Sequence, residues 1–184
     1  KKPIILIGSK KIILDQIKKF KYNFNINLIN PNELNFSQIK KMNNKKINLI
    51  NVNFSSISNP NKNLQKVREY MKICFDIGLN IVSKFRCAGL INGPVNKKRF
   101  LNYKYLGVTE YLASKLKIKS YAMLIYNKDL SVSPITTHLP LKNVNKNITK
   151  KKNIEKTSLI NSFYKKQFKK KPNIAITGLN PHCE

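Results

Sequence analysis

Short apolar runs that stop at Gly, Pro or Asn, each followed by a stretch of helical period, narrow the folds open to this chain more than any other feature. Residues 3–8 are a continuous apolar run of the kind that suits a buried strand. Ser9 is placed to cap a helix with apolar positions Ile12, Ile13, Ile17 and Phe20. Residues 24–29 and 47–52 read as two more strands, with a turn at Asn30-Pro31-Asn32 between them. A polar loop over 55–63 leads into a helix over 64–83, whose Val67, Met71, Phe75, Leu79 and Val82 leave it apolar on most sides and predict deep burial. A strand over 87–91 follows, then a helix opening near Gly107 with Tyr111, Leu112 and Leu116 turned inward. Residues 121–126 and 130–136 flank a hairpin turn at Asn127-Lys128-Asp129. A Lys-rich helix over 148–170 and a strand over 173–177 complete the series. Such alternation places the chain in the α/β class, with one antiparallel hairpin inside it.

The chain has 184 residues, 41% of them apolar, enough for one cored domain or part of a larger two-lobed protein. No apolar run reaches the roughly 18 residues that span a bilayer, and the opening residues are not expected to be a signal peptide. Three cysteines, Cys74, Cys87 and Cys183, with no Cys-x-x-Cys pair, point to a reducing compartment, so the expected location is the cytoplasm, with no membrane partner. Cys74 and Cys87 read as buried small hydrophobes. The formal net charge of +28 invites a nucleic-acid reading. Against it, only Arg68, Arg86 and Arg99 are arginines, and the lysines are scattered rather than striped. Lys, Asn and Ile, all abundant here, share AT-rich codons, so the charge reads as compositional drift and no nucleic-acid partner is expected. A basic nucleic-acid-binding protein stays as the least favoured alternative.

Three places carry possible chemistry. The two histidines, His138 and His182, each sit just past the end of an expected strand, in loops stiffened by Pro140 and Pro181. Ligands of α/β sheets gather at that end, and two imidazoles there could share a divalent ion, although two ligands do not make a site. Gly93-Pro94-Val95-Asn96-Lys97 could offer backbone N–H groups and an ammonium to an anion, or be an ordinary turn. Gly107-Val108-Thr109-Glu110 could hold phosphate or carboxylate at a helix N-terminus, or be a plain cap with Glu110 as its first-turn acid. Neither a Gly-x-Gly-x-x-Gly fingerprint nor a P-loop occurs.

Taken in order, four blocks resemble the signature of the 4-hydroxythreonine-4-phosphate dehydrogenase (PdxA) family. They are Asn92-Gly93-Pro94-Val95-Asn96-Lys97, Gly107-Val108-Thr109-Glu110-Tyr111-Leu112-Ala113, Thr136-Thr137-His138-Leu139-Pro140-Leu141 and Gly178-Leu179-Asn180-Pro181-His182. The resemblance covers essentially all of residues 1–184. It implies a three-layer α/β/α fold of the isocitrate and isopropylmalate dehydrogenase type, with residues up to about 60 in a first lobe and about 61–184 in a second, dimerisation lobe. It implies NAD- or NADP-dependent oxidation of 4-phosphooxy-L-threonine to a 3-keto acid that decarboxylates to 3-amino-2-oxopropyl phosphate, in pyridoxal 5'-phosphate (vitamin B6) synthesis. The active site would be shared in a homodimer. His138 and His182 match two of three histidines holding a divalent ion (Zn, Co, Mn or Mg); Thr109 matches a substrate-binding position, and Lys97, which lies in a family block, is given only a supporting anion role. No catalytic group apart from the metal site, and no nicotinamide-binding residue, is matched.

Three departures accompany the match. Val108 stands where the family has a substrate-contacting histidine, and valine cannot hydrogen-bond. The family's early Gly-rich block and its third metal histidine are not in these residues, so the expectation is a piece incomplete at both ends and inactive alone. The alternatives are a dehydrogenase for a related phosphorylated hydroxy acid, or a truncated, degenerate relic without catalysis.

Overall fold

The computed structural model describes residues 2–54, 63–85, 87–102 and 104–179. It separates into two compact units, Lys1–Asn102 and Tyr103–Glu184. In the first, β1 (Ile5–Gly8), β2 (Ile26–Leu28) and β3 (Ile47–Asn51) form a parallel sheet in the order β1-β3-β2. Ile5 lies opposite Asn48 and Gly8 opposite Asn51, while Ile26 pairs with Ile47. Parallel pairing demands crossovers, and α1 (Lys10–Lys19) and α2 (Phe36–Lys41) supply them. The central strand β3 is apolar on both faces, so Leu49 and Ile50 are fully buried. Its one buried polar side chain, Asn48, is satisfied: Nδ2 donates to the carbonyls of Ile4 and Asn43, and Oδ1 accepts from Asn27.

Local chemistry sets the helix ends. Ser9 caps α1 by accepting from the Ile12 amide, as expected. Asn35 and Gln38 form a reciprocal capping box that starts α2, a helix the periodic reading passed over. The long helix α3 (Leu64–Phe85) closes the core, with Ile81 and Phe85 packed against Ile50 and Leu34. Its ring at Phe85 meets Phe36 edge-on at 5.2 Å. Deep burial of α3 is not what the structure shows: Phe75, Gly78, Ile81 and Phe85 are its buried residues, and Ile73 is exposed. A helix laid on one face of a three-stranded sheet has only one stripe to bury. Because Ile50 is fully enclosed between the sheet's neighbours, Ile50→Ala is expected to cost about 2–5 kcal/mol in chemical unfolding.

The strand expected over 87–91 does not form; those residues are irregular, and Ile91 is 93% exposed. A short helix α4 (Lys97–Leu101) follows, with Phe100 stacked on Phe75 at 5.2 Å. The loop expected over 55–63 lies, except for Asn63, outside the described residues.

In the second unit, α5 (Val108–Lys115), a 3-10 turn (Leu141–Asn143), α6 (Val144–Asn147) and α7 (Lys150–Phe168) are joined by extended segments. Tyr111 and Ala113 are the buried face of α5, whereas Leu116, expected inside, is exposed. Thr149 caps α7 by accepting from the Lys152 amide. The expected hairpin is reduced to one antiparallel bridge, Ile125 with Val132, closed by an Asx turn in which the Asp129 amide donates to Asn127 Oδ1. Residues 173–177 form no strand. An apolar run becomes a strand only when a ladder partner takes up its N–H and C=O groups, and no described segment does so there. No helix among the described residues is long and apolar enough to cross a membrane.

Candidate functional site

The N-terminus of α1 could be taken for an anion site, since it follows a strand of a parallel sheet. Its amides are already committed. Ser9 N–H donates to the Tyr70 hydroxyl at 3.0 Å, Lys10 N–H to Asn51 Oδ1 at 2.8 Å, and Ile12 N–H to Ser9 Oγ. Ser9 Oγ in turn donates to the Phe54 carbonyl, and the Phe54 ring stacks on Tyr70. Burial, and then the neighbouring Cys74, pushes the Tyr70 phenol up; burial above all pushes the Cys74 thiol up. Both are therefore neutral at physiological pH, and this end of the sheet is a structural plug. Cys74 and Cys87 are half-buried, and Cys87 Sγ donates to the Ile81 carbonyl.

Lys97 opens α4 in the first unit and is exposed. With five residues, α4 is too short to offer a helix-terminus site of its own.

The second unit gathers the other site residues around the start of α5. Gly107 is the N-cap in an extended backbone (φ −157°), with no side-chain cap bond. Val108 and Thr109 are the first two helical residues, both half-buried, and Glu110 the third. A carboxylate there is favoured by the partial positive charge of the helix N-terminus. The Thr137 hydroxyl donates to Glu110 Oε1 at 3.4 Å, which ties the loop of His138 to this turn. Glu110 Oε2 is buried and has no hydrogen-bond partner.

His138 is exposed and sits in the left-handed region at φ 56°, where a residue with a β-carbon pays a conformational cost. Such backbone persists where surrounding contacts hold it. Gly107 permits the close approach: a β-carbon on it would lie 2.6 Å from Glu110 Oε2 and 3.2 Å from His138 Nε2. Both atoms are the ends of side chains that can turn away, so Gly107→Ala is expected to displace the carboxylate and the imidazole at little cost in thermal unfolding.

Tyr121 is the next neighbour. Burial, and then the charge of Glu110, pushes its phenol up. Lys156 of α7 donates to the Tyr121 carbonyl at 3.2 Å and lies over its ring at 5.8 Å. Sequence reading named Thr109 and His138 here, but treated Glu110 only as a cap acid and missed Tyr121 and Lys156. The contact of Glu110 with Thr137, 27 residues apart, is invisible to local pattern.

The donor chemistry fits a divalent ion in part. An exposed imidazole nitrogen and a carboxylate at one turn are hard-to-borderline donors of the right kind. No group of three His, Cys, Asp or Glu side chains among the described residues could hold a metal ion. His182, the second expected ligand, lies outside the described residues, together with Cys183 and Glu184.

Comparison with known proteins identifies the family and the fold. The family described as "Pyridoxal phosphate biosynthetic protein PdxA" matches residues 1–184. A protein of Sulfurihydrogenibium sp. named 4-hydroxythreonine-4-phosphate dehydrogenase is 35% identical over 97% of this chain and 54% of its own length. A protein of Bradyrhizobium diazoefficiens, whose provisional name is D-threonate 4-phosphate dehydrogenase, is 30% identical over 58% of this chain and 31% of its own. The crystal structure of 4-hydroxythreonine-4-phosphate dehydrogenase from Klebsiella pneumoniae superposes with a TM-score of 0.70 at 23% identity, over 98% of this chain and 55% of that one. That likeness bears out the expected α/β fold. The chain spans about half the length of the Sulfurihydrogenibium protein. With its whole length matched, this chain belongs to the PdxA family of pyridoxal phosphate biosynthetic proteins.

Proposed function

We propose that the complete protein is an NAD- or NADP-dependent dehydrogenase that oxidises the secondary alcohol of 4-phosphooxy-L-threonine. The 3-keto acid formed loses CO2 to give 3-amino-2-oxopropyl phosphate, a step toward pyridoxal 5'-phosphate. The observation that carries this reading is the packing of the His138 loop onto the Gly107–Glu110 turn, which brings two of the four signature blocks to one place.

In this reading His138, with His182, holds a divalent ion (Zn, Co, Mn or Mg). When bound, the ion supplies Lewis-acid polarisation of the alcohol and the nicotinamide supplies the oxidant. Thr109, at the second helical position, orients an anionic group of the substrate with its hydroxyl and the helix N-terminus. Lys97, at the start of α4 in the first unit, keeps the supporting anion role that the family resemblance implies. The lobe division near residue 60, the shared homodimeric site and the cytoplasmic location belong to this proposal too. The scatter of lysines supports a small-molecule enzyme rather than a nucleic-acid reader.

A second reading, a dehydrogenase for a related phosphorylated hydroxy acid, is favoured by Val108 and by the likeness to the Bradyrhizobium protein. Purified complete protein, given 4-phosphooxy-L-threonine or D-threonate 4-phosphate with NAD and NADP, decides between them by reduced nicotinamide formed. Preference for the amino acid is the expected result. If neither substrate is oxidised, the dehydrogenase proposal fails. Val108 leaves one substrate contact unmade, worth about 1–3 kcal/mol. Val108→His is therefore expected to raise kcat/KM for 4-phosphooxy-L-threonine by about 5- to 150-fold.

A further inference from the structure

We propose that Glu110 and Thr137 form a clasp of positioning residues: the hydroxyl-to-carboxylate hydrogen bond makes the first turn of α5, which carries Thr109, and the loop of residues 136–141 move as one unit. The coupling is a property of the second unit's own fold. That it serves substrate binding rests on the role given to Thr109 under the proposed function.

The first support is the poverty of donors at Glu110. Among the described residues the Thr137 hydroxyl is the hydrogen-bond donor to its carboxylate, 3.4 Å from Oε1, while Oε2 is buried and has no partner. A carboxylate served by one donor in a half-buried place loses most by its removal, because the acceptor is then left unmet. The second support is the turn itself. Its N-cap, Gly107, supplies no side-chain bond, and the first amide of α5 held within the helix is that of Tyr111, donating to the Gly107 carbonyl. Glu110, at the third helical position, therefore gives this turn a side-chain tie that its cap does not.

The third support comes from the other end of the bond. His138 is held in the left-handed region at φ 56°, a conformation that persists where neighbouring contacts fix it, and half-buried Thr137 directly before it makes such a contact. The charge of Glu110 is also felt at Tyr121, whose segment Lys156 fastens to α7. The carboxylate thus stands where three separate stretches of the second unit meet. Helix capping accounts for an acid at 110, but only the clasp accounts for a hydroxyl aimed at it from 27 residues away.

The test uses the complete protein. It reads hydrogen–deuterium exchange of the backbone amides in residues 107–116 and 136–141, beside kcat/KM for 4-phosphooxy-L-threonine. Two substitutions at one position separate bonding from packing: Thr137→Val keeps the volume and removes the donor, whereas Thr137→Ser keeps the donor and removes a methyl group. Thr137→Val is expected to speed exchange in 107–116 by about 3- to 10-fold and to lower kcat/KM by a similar factor, with Thr137→Ser within about twofold of wild type. Glu110→Ala is expected to speed exchange in 136–141 reciprocally, and the double variant to be no worse than Glu110→Ala alone. Unchanged exchange in 107–116 of Thr137→Val overturns the clasp, as does a greater disturbance in Thr137→Ser than in Thr137→Val, or additive losses in the double variant. Faster exchange in Thr137→Val with wild-type kcat/KM overturns its service to the site and leaves it structural. Exchange decides the clasp whether or not substrate is oxidised, so a wild-type protein that oxidises no phosphorylated acid removes the proposed function alone.

Discussion

His138→Ala in the complete protein is expected to lower kcat/KM by roughly 10²–10⁴-fold, the loss of several kcal/mol of charge stabilisation at the reacting alcohol. The effect should be confined to function. His138 is exposed, so circular dichroism and the unfolding midpoint are expected to stay near wild type. His138→Gly sharpens the point. Glycine adopts the φ of 56° without the roughly 1–2 kcal/mol that a β-carbon costs, so this variant should lose activity as fully and unfold no more easily. Steady-state kinetics beside calorimetry on both variants checks the expectation. A large drop in stability with either one would make the residue structural.

Removal of the divalent ion should have an effect at least as large. A chelator is expected to take the complete protein's rate to background, and addition of zinc, cobalt, manganese or magnesium should restore it to differing extents. A rate that survives exhaustive chelation would leave His138 without the proposed role. Among the described residues Gly107 and, through Thr137, Glu110 lie around the His138 loop. In the proposed reading the remaining ligands come from elsewhere in the protein, His182 among them.

The two levels of the structure were unequally legible in the sequence. β1, β3, α1, α5 and α7 were readable because each follows from a local rule: a continuous apolar run, a Ser9 or Thr149 cap, or a 3.6-residue period. The capping box that starts α2 was equally local, in Asn35 and Gln38, and could have been read. The strands expected over 87–91 and 173–177 failed for a different reason. Their residues have strand-like composition, but a strand exists only through a partner, and composition does not name one. The burial expected of α3 failed similarly, because apolar content says how much a helix could bury and not how much sheet is there to cover it.

For the candidate site, His138, Thr109 and Val108 were picked out by the order of the signature blocks. Their common location depends on a contact between residues 110 and 137 that only the fold supplies. Glu110 was the residue most undervalued by sequence. Its role as a first-turn acid is true and incomplete, since one of its oxygens is buried at the foot of the His138 loop.

Elemental analysis of the purified complete protein beside its His138→Ala variant, with both rates measured on the same samples, bears most directly on the account. The predicted result is one divalent ion per active site in the wild type, and in the variant a metal content reduced together with the rate. Unchanged metal content and an unchanged rate in His138→Ala would contradict it.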